Sequence, residues 1–148
     1  MEKEDAMTIL KHIEKILKAI PLIFKDNEKL NKKYGIDTSS FINPFDKKVI
    51  KRFYEKNAEE EKLKKYLEAL NYETLLKIEA VLYFGREKEN DINEIILELA
   101  ELNEPKNDII DTIIEKIYAC ERYFPRAIAK AKKLGIDLNN LHLPKIKK

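Results

Sequence analysis

Residues 70–87 read LNYETLLKIEAVLYFGRE and contain the strongest helix signal in the chain. Asn71 is a candidate N-cap, because its side-chain oxygen can accept from the free amides of a first helical turn. Gly85 is a candidate helix stop, since glycine adopts the left-handed conformation at little cost. The apolar side chains between them cover most of the helix circumference: Leu75, Leu76, Ile78, Val81, Leu82, Tyr83 and Phe84. This pattern predicts a helix over about 72–84 that runs through the middle of the fold.

The rest of the chain predicts further helices, because apolar residues recur at steps of three and four and strand-like alternation is absent. Pro21 should kink or break the first helix, since proline removes a backbone donor. Gly35 and Gly135 follow apolar periodic segments and predict helix stops. We therefore predict an all-α protein, a single compact bundle of six to eight helices. One helical domain should cover residues 1–143, followed by a mobile basic tail over 144–148.

Short polar residues mark the expected helix starts. The candidate N-caps are Asp46, Asn57, Asn90 or Asp91, and Asn107. The helix after Asp46 has one apolar face, formed by Val49, Ile50, Phe53 and Tyr54. The last helix is expected to start near Phe124 and Pro125, because proline is favoured in a first helical turn.

The charge of the chain is unevenly distributed, although its net charge is only +2. Residues 1–56 carry a net charge of +4, residues 57–120 carry −8 and residues 121–148 carry +6. Either the basic ends fold back onto the acidic middle, or opposite faces meet different partners. We favour the first interpretation, because it needs no partner.

Composition argues against most catalytic and metal sites. The chain has two histidines and one cysteine, too few for a recognisable nucleophilic triad or zinc site. His12 is expected on the solvated side of the first helix, and Cys120 is expected to be a small buried apolar residue. Glycines fifty residues apart form no phosphate-binding loop. We predict no catalytic residue, no metal and no cofactor.

Carboxylates at helical spacing offer one alternative, a divalent-cation site between two antiparallel helices. The two acidic stripes consist of Asp91, Glu94, Glu98 and Glu101, and of Asp108, Asp111 and Glu115. Carboxylate-bridged bundles normally add histidine from Glu-x-x-His pairs, and this chain has none. We favour a solvated acidic face.

Aromatic and cationic residues occur together in three segments and predict a ligand site. The candidate ligand-binding residues are Arg86, Tyr83, Lys88, Arg52, Tyr54, Arg122 and Arg126. A guanidinium group can bind phosphate with two hydrogen bonds while a ring stacks on a base, which suits a nucleotide-like anion. In the alternative interpretation, tyrosines bridge core and water while arginines pair with glutamates.

Nucleic acid is a weaker candidate partner. Basic residues near the carboxyl terminus could contact a phosphate backbone: Lys130, Lys132, Lys133, Lys145, Lys147 and Lys148. The acidic middle and an isoelectric point near 8.4 argue against a broad basic face.

Residues 60–136 resemble a bacterial family known only as a domain of unknown function. Its members carry a Leu-Asn start, an apolar helix and a Gly-Arg end, here Leu70, Asn71, Gly85 and Arg86. The resemblance continues in an Ala-rich helix after Pro125 that ends at Leu134 and Gly135. The chain departs from the pattern at Glu87 and Lys88, where the family has a small glycine-like residue. The resemblance implies a helical fold and supplies no activity.

The function favoured by these patterns is non-enzymatic: a helical binding protein that acts through protein contact or self-association. Isoleucine-rich stripes over 92–102 and 109–118 could supply such a contact. The alternative is a small-molecule binder or sequestering protein for a nucleotide-like anion, and an enzyme ranks third. The acidic start MEKED and the lack of a long apolar run predict a cytoplasmic protein without a membrane partner.

Overall fold

A computed structural model describes residues 8–39 and 41–143. These residues form seven α-helices and one short 3₁₀ helix, and they contain no strand. The α-helices are α1 (Ile9–Lys33), α2 (Lys47–Tyr54), α3 (Ala58–Glu68), α4 (Tyr72–Arg86), α5 (Ile92–Leu102), α6 (Lys106–Glu115) and α7 (Ile117–Leu134). The 3₁₀ helix covers Leu138–Asn140. The predicted all-α class and helix number are confirmed. The predicted tail, 144–148, lies outside the described residues.

Helix α4 is the centre of the fold, as its apolar circumference predicts. It packs against α1, α5, α6 and α7. Leu75, Ala80 and Val81 are fully buried although they point in different directions around the helix axis. The predicted N-cap is confirmed, because the Asn71 side-chain oxygen accepts from the amide of Thr74 at 2.8 Å.

Gly85 does not end α4 in the left-handed conformation, so that prediction is wrong. The helix continues to Arg86 and is capped by Glu87 at φ −95°. Gly85 instead lies where α4 meets α7: a Cβ built on it would lie 1.9 Å from the carbonyl oxygen of Tyr123. Glycine is needed here because two backbones approach closely.

The other two glycines end helices as predicted. Gly35 has φ +64° and follows α1, and Gly135 has φ +73° and follows α7. In both turns the amide of the next residue donates back to the last helical turn, from Ile36 to Asn31 and from Ile136 to Ala131, each at 2.8 Å. This six-to-one bond is typical of a Schellman stop.

The helix start predicted near Phe124 and Pro125 is wrong, and Pro21 does not break the first helix. Helix α1 runs through Pro21 without a break. Helix α7 begins at Ile117 and contains Pro125 in its interior. The apolar stripes on both sides of each proline face the core, so burial outweighs the lost backbone hydrogen bond.

Three of the predicted N-caps are confirmed and one is wrong. Asp46, Asn57 and Asp91 accept from amides of the first turns of α2, α3 and α5. Asn107 does not cap α6, because that helix already begins at Lys106, after Pro105. Proline before the first turn fixes φ and lacks an amide that would need a partner.

The lone cysteine and the first of the two histidines are both buried. His12 is fully buried, so its predicted solvated position is wrong, and its Nδ1 is hydrogen-bonded to the hydroxyl of Tyr66 on α3. Cys120 is fully buried, as predicted. Among residues 8–39 and 41–143, none of the helices combines the length and apolar character needed to cross a lipid bilayer.

Candidate functional site

The predicted ligand-binding residues fall into two separate regions. Tyr83 and Arg86 lie at the carboxyl end of α4, where the Arg86 guanidinium carbon is 4.3 Å from the centre of the Tyr83 ring. Arg86 Nη2 also donates to Glu87 Oε1 at 2.7 Å. The guanidinium is therefore stacked and paired by neighbours on its own helix. The alternative interpretation, with arginine paired to glutamate, fits this arrangement.

Arg122 and Arg126 flank one ring on α7, the adjacent helix. Their guanidinium carbons lie 5.8 and 5.9 Å from the centre of the Tyr123 ring. Lys88 is exposed after the end of α4. Five surface clefts of about 180–460 Å³ in the described part of the chain are lined by other residues and not by Tyr83, Arg86, Arg122 or Arg126. These four residues lie on two helices that pack together, outside those clefts.

Arg52 belongs to a different region, a cleft of about 430 Å³ formed by α1, α2 and the start of α3. Its Nε donates to Asn31 Oδ1 at 3.0 Å and its Nη2 donates to Asn27 Oδ1 at 2.9 Å. Asn57 donates to the same Asn27 oxygen and to the carbonyl of Ile23, both at 2.8 Å. Arg52 thus holds α2 against α1 through two side-chain hydrogen bonds.

A second polar contact fastens the carboxyl end of α2. Glu55 Oε1 accepts from Lys33 Nζ and from the hydroxyl of Tyr34, each at 2.6 Å. The hydrogen bond from Lys33, followed by that from Tyr34, lowers the pKa of the Glu55 carboxyl. The orientation of α2 is therefore set by polar groups at the end of α1, and no residue of α2 is buried.

The outer side of α2 and the loop before it form an exposed aromatic surface. We define the aromatic surface by five residues: Phe41, Phe45, Ile50, Phe53 and Tyr54. The exposed fractions of its aromatic side chains are 88% for Phe41, 84% for Phe45, 83% for Phe53 and 79% for Tyr54. Single exposed apolar residues are normal, but five exposed large apolar side chains within fourteen residues of the chain favour an interaction site.

The aromatic surface carries a positive border. Residues 41–56 contain five Lys or Arg against two Asp or Glu, a net charge of +3. Lys47, Lys48 and Lys51 are exposed, and within the described residues none of them forms a salt bridge. The surface therefore combines aromatic area with uncompensated positive charge.

Sequence reasoning found this helix but missed its role. The four apolar residues of α2 have the spacing of a core-facing helix, yet Phe53 and Tyr54 point outward and only Val49 is half-buried. One signal was available: Phe41 and Phe45 lie in a loop, where no helical periodicity explains them. Tyr54, predicted as a ligand residue, belongs to this surface.

Glu79 is a buried acid that sequence reasoning did not single out. It is 1% exposed in α4, and its Oε2 has no hydrogen-bond partner. Burial, with a smaller contribution from Glu104, raises the pKa of Glu79 to about 7, while Lys116 acts in the opposite direction. The hydroxyl of Tyr72, on the same helix, is also buried without a partner. A carboxylate in the middle of a helix whose apolar side chains cover most of its circumference was the available signal.

The alternative cation site between two acidic stripes does not form. Within residues 8–39 and 41–143, no group of three or more His, Cys, Asp or Glu side chains is arranged to hold a metal ion. Helices α5 and α6 both pack against α4. Their apolar faces point to that helix, so their acidic residues face solvent.

Lys130, which the nucleic-acid alternative placed on a free basic face, is engaged within the fold. Its Nζ donates to the carbonyls of Phe84 and Glu87, each at 3.0 Å, and to the carbonyl of Glu89. The ammonium also lies 4.1 Å from the centre of the Phe84 ring. Lys130 therefore caps the carboxyl end of α4, where a positive charge is favourable. Lys145, Lys147 and Lys148 lie outside the described residues.

No protein-family model matches the chain, and neither a curated protein nor a solved structure is detectably similar to it. The resemblance of residues 60–136 to a bacterial family stays a prediction.

Proposed function

We propose that this protein is a non-enzymatic interaction protein that binds another polypeptide through the aromatic surface. The observation that carries the proposal is the exposure of four aromatic side chains within fourteen residues, each at least 79% exposed. Burying one such side chain contributes roughly 1.5–3 kcal/mol. A partner that covers three or four of them gains roughly 5–12 kcal/mol, which acts against association costs of a similar order.

The way α2 is held supports the same function. Arg52 and Glu55 fix the helix to α1 through four hydrogen bonds, so the aromatic side chains project from a positioned element. A surface that is already ordered loses less conformational entropy on binding.

The nucleotide-like anion has less support from the geometry. Arg86 is stacked on Tyr83 and paired with Glu87. The cleft beside Arg52 is lined by Lys56 as well as by Glu55 and Glu60, so its lining carries no net positive charge to attract an anion. Protein contact is therefore the function that these residues favour.

Site-specific photo-crosslinking tests the proposal. A photoreactive phenylalanine analogue is placed at Phe53, and at Lys133 on the exposed side of α7 as the matched control. In the native cells, position 53 should form a covalent adduct with a polypeptide, either a second copy or another protein, and position 133 should not. If position 53 gives no more polypeptide adduct than position 133, the aromatic surface is not an interaction site.

A further inference from the structure

The outer side of α5 is the acidic counterpart of the aromatic surface. Residues 91–104 contain five acidic residues and no basic residue. We define the acidic surface by five exposed residues of this helix: Glu94, Leu97, Glu98, Glu101 and Leu102. Leu97 is 38% exposed and Leu102 is 64% exposed, so apolar area accompanies the negative charge. Within the described part of the chain, none of the three glutamates forms a salt bridge.

The two surfaces do not neutralise each other within one copy. Five of the six salt bridges of the described residues lie within a single charge segment, and only Lys56–Glu61 joins the basic first segment to the acidic middle. Both the aromatic and the acidic surface are exposed, so neither covers the other in the same chain. The lysines beside the aromatic surface and the glutamates of the acidic surface therefore do not pair with each other within one copy.

We infer that the aromatic surface binds the acidic surface of a second copy of this chain, head to tail. This inference deepens the proposed function and rests on it. The contact joins a +3 segment to a −5 segment and sets Phe53 and Tyr54 against exposed leucines. Attraction between opposite charges and burial of apolar area then act together.

Charge also decides which mode of self-association forms. A two-fold contact would place the aromatic surface against itself, opposing Lys47 and Lys51 with the same lysines. A two-fold contact through α5 would likewise place its glutamates against the same glutamates of the second copy. Like charges facing each other oppose binding, whereas the head-to-tail contact brings opposite charges together. Such a heterologous contact leaves one free surface at each end and continues into longer chains unless it closes into a ring.

The size of α2 sets the expected affinity. A helix of eight residues is about 12 Å long, so this contact buries less than the roughly 800 Å² per partner of a standard interface. We expect a dissociation constant on the order of 10–100 μM, which makes assembly dependent on concentration. Screening of the charge pairs should weaken assembly as salt is raised.

Sedimentation velocity with two surface variants tests the inference. F45S/F53S removes apolar area from the aromatic surface, and E98K/E101K reverses charge on the acidic surface. All four positions are exposed, so folding should be preserved, as circular dichroism can verify. E121K, a reversal of an exposed charge on α7, is the matched control.

At low salt and protein concentrations up to about 0.5 mM, above the expected dissociation constant, wild type and E121K should form oligomers larger than dimers. Each double variant alone should stay at the monomer mass of 17.5 kDa. An equimolar mixture of the two double variants should give dimers and nothing larger, because it contains one intact surface of each kind.

Three outcomes would overturn the inference. Wild type that stays monomeric at these concentrations shows that a second copy of the chain does not occupy the aromatic surface. Association that survives E98K/E101K but not F45S/F53S shows a two-fold aromatic contact. A mixture that remains monomeric shows that the surfaces do not bind each other. In each case the cross-link from position 53 decides separately whether the proposed function stands.

Discussion

Gly85 on α4 lies directly against the backbone carbonyl of Tyr123 on α7. A Cβ at Gly85 would be 1.9 Å from that oxygen and 3.1 Å from the Cβ of Ala127. The contact joins the central helix to the longest helix of the carboxyl-terminal half. The two helices can therefore lie this close together only because residue 85 has no Cβ.

Replacing Gly85 by alanine should destabilise the protein by about 3 kcal/mol or more, since overpacking against backbone cannot be relieved by a rotamer change. The matched control is Gly135→Ala, where a Cβ would meet nothing within 4 Å but φ is +73°. That control should cost about 1 kcal/mol through backbone strain alone. Urea unfolding measures both. Equal losses would show that the contact with Tyr123 relaxes at little cost.

The buried carboxyl of Glu79 should make stability depend on pH. Its pKa is about 7 in the folded state and 4.5 as the ordinary value, so the folded protein holds the proton more tightly across this window. The free energy of unfolding should therefore fall as pH rises from about 4.5 to above 7, by roughly 3 kcal/mol. Glu79→Gln should remove this fall, leaving the variant the more stable protein at pH 8.

Lys116→Met tests the same pH dependence from the side of the neighbouring cation. Lys116 lowers the pKa of Glu79, so its removal should deepen the loss of stability at pH 8 and leave stability near pH 4 little changed. Thermal unfolding at a series of pH values measures both variants. A Glu79→Gln profile that runs parallel to wild type would show that Glu79 does not control the pH dependence.

Lys130 should stabilise the end of α4. Its ammonium donates to three backbone carbonyls across 41–46 residues of sequence. Lys130→Met keeps much of the apolar stem but leaves those carbonyls without this donor, and should cost about 1.5–3 kcal/mol. Lys133→Met, at an exposed site one turn further along α7, is the control and should cost less than about 0.5 kcal/mol. Similar losses in both variants would exclude a capping role.

Cys120 should be unreactive in the folded protein. Burial raises the pKa of its thiol to about 12, and the side chain has no exposed area. Thiolate is the reactive form, so an aromatic disulfide reagent at pH 8 should react only when the chain opens. One equivalent should react at once in denaturant, since the chain has one cysteine. Rapid reaction of the native protein would place the thiol at an accessible position.

Local signals predicted much of the fold. Asn57, Asn71 and Asp91 cap helices because each side chain reaches an amide only two or three residues ahead. Gly35 and Gly135 end helices through the conformation of a single residue. These relationships span one helical turn, so the order of residues is enough to predict them.

The candidate site could be predicted only in part. Arg52 and Tyr54 were singled out as ligand residues, but one became a clamp on Asn27 and Asn31 and the other joined the aromatic surface. Helical spacing shows that α2 has an apolar face without showing which way the face points. The polar contacts at the end of α1 turn it outward.

By itself the sequence determined the helical class, the central position of α4 and most helix ends, because apolar period and capping chemistry act within one helix. Only the tertiary structure decided the role of Gly85, the burial of His12 and Glu79, the engagement of Lys130 and the exposure of Phe53. Each of these depends on which helix lies opposite, often 30 or more residues away in the chain. Which helix lies opposite depends on how all the apolar faces pack together, so a short segment of sequence does not specify it.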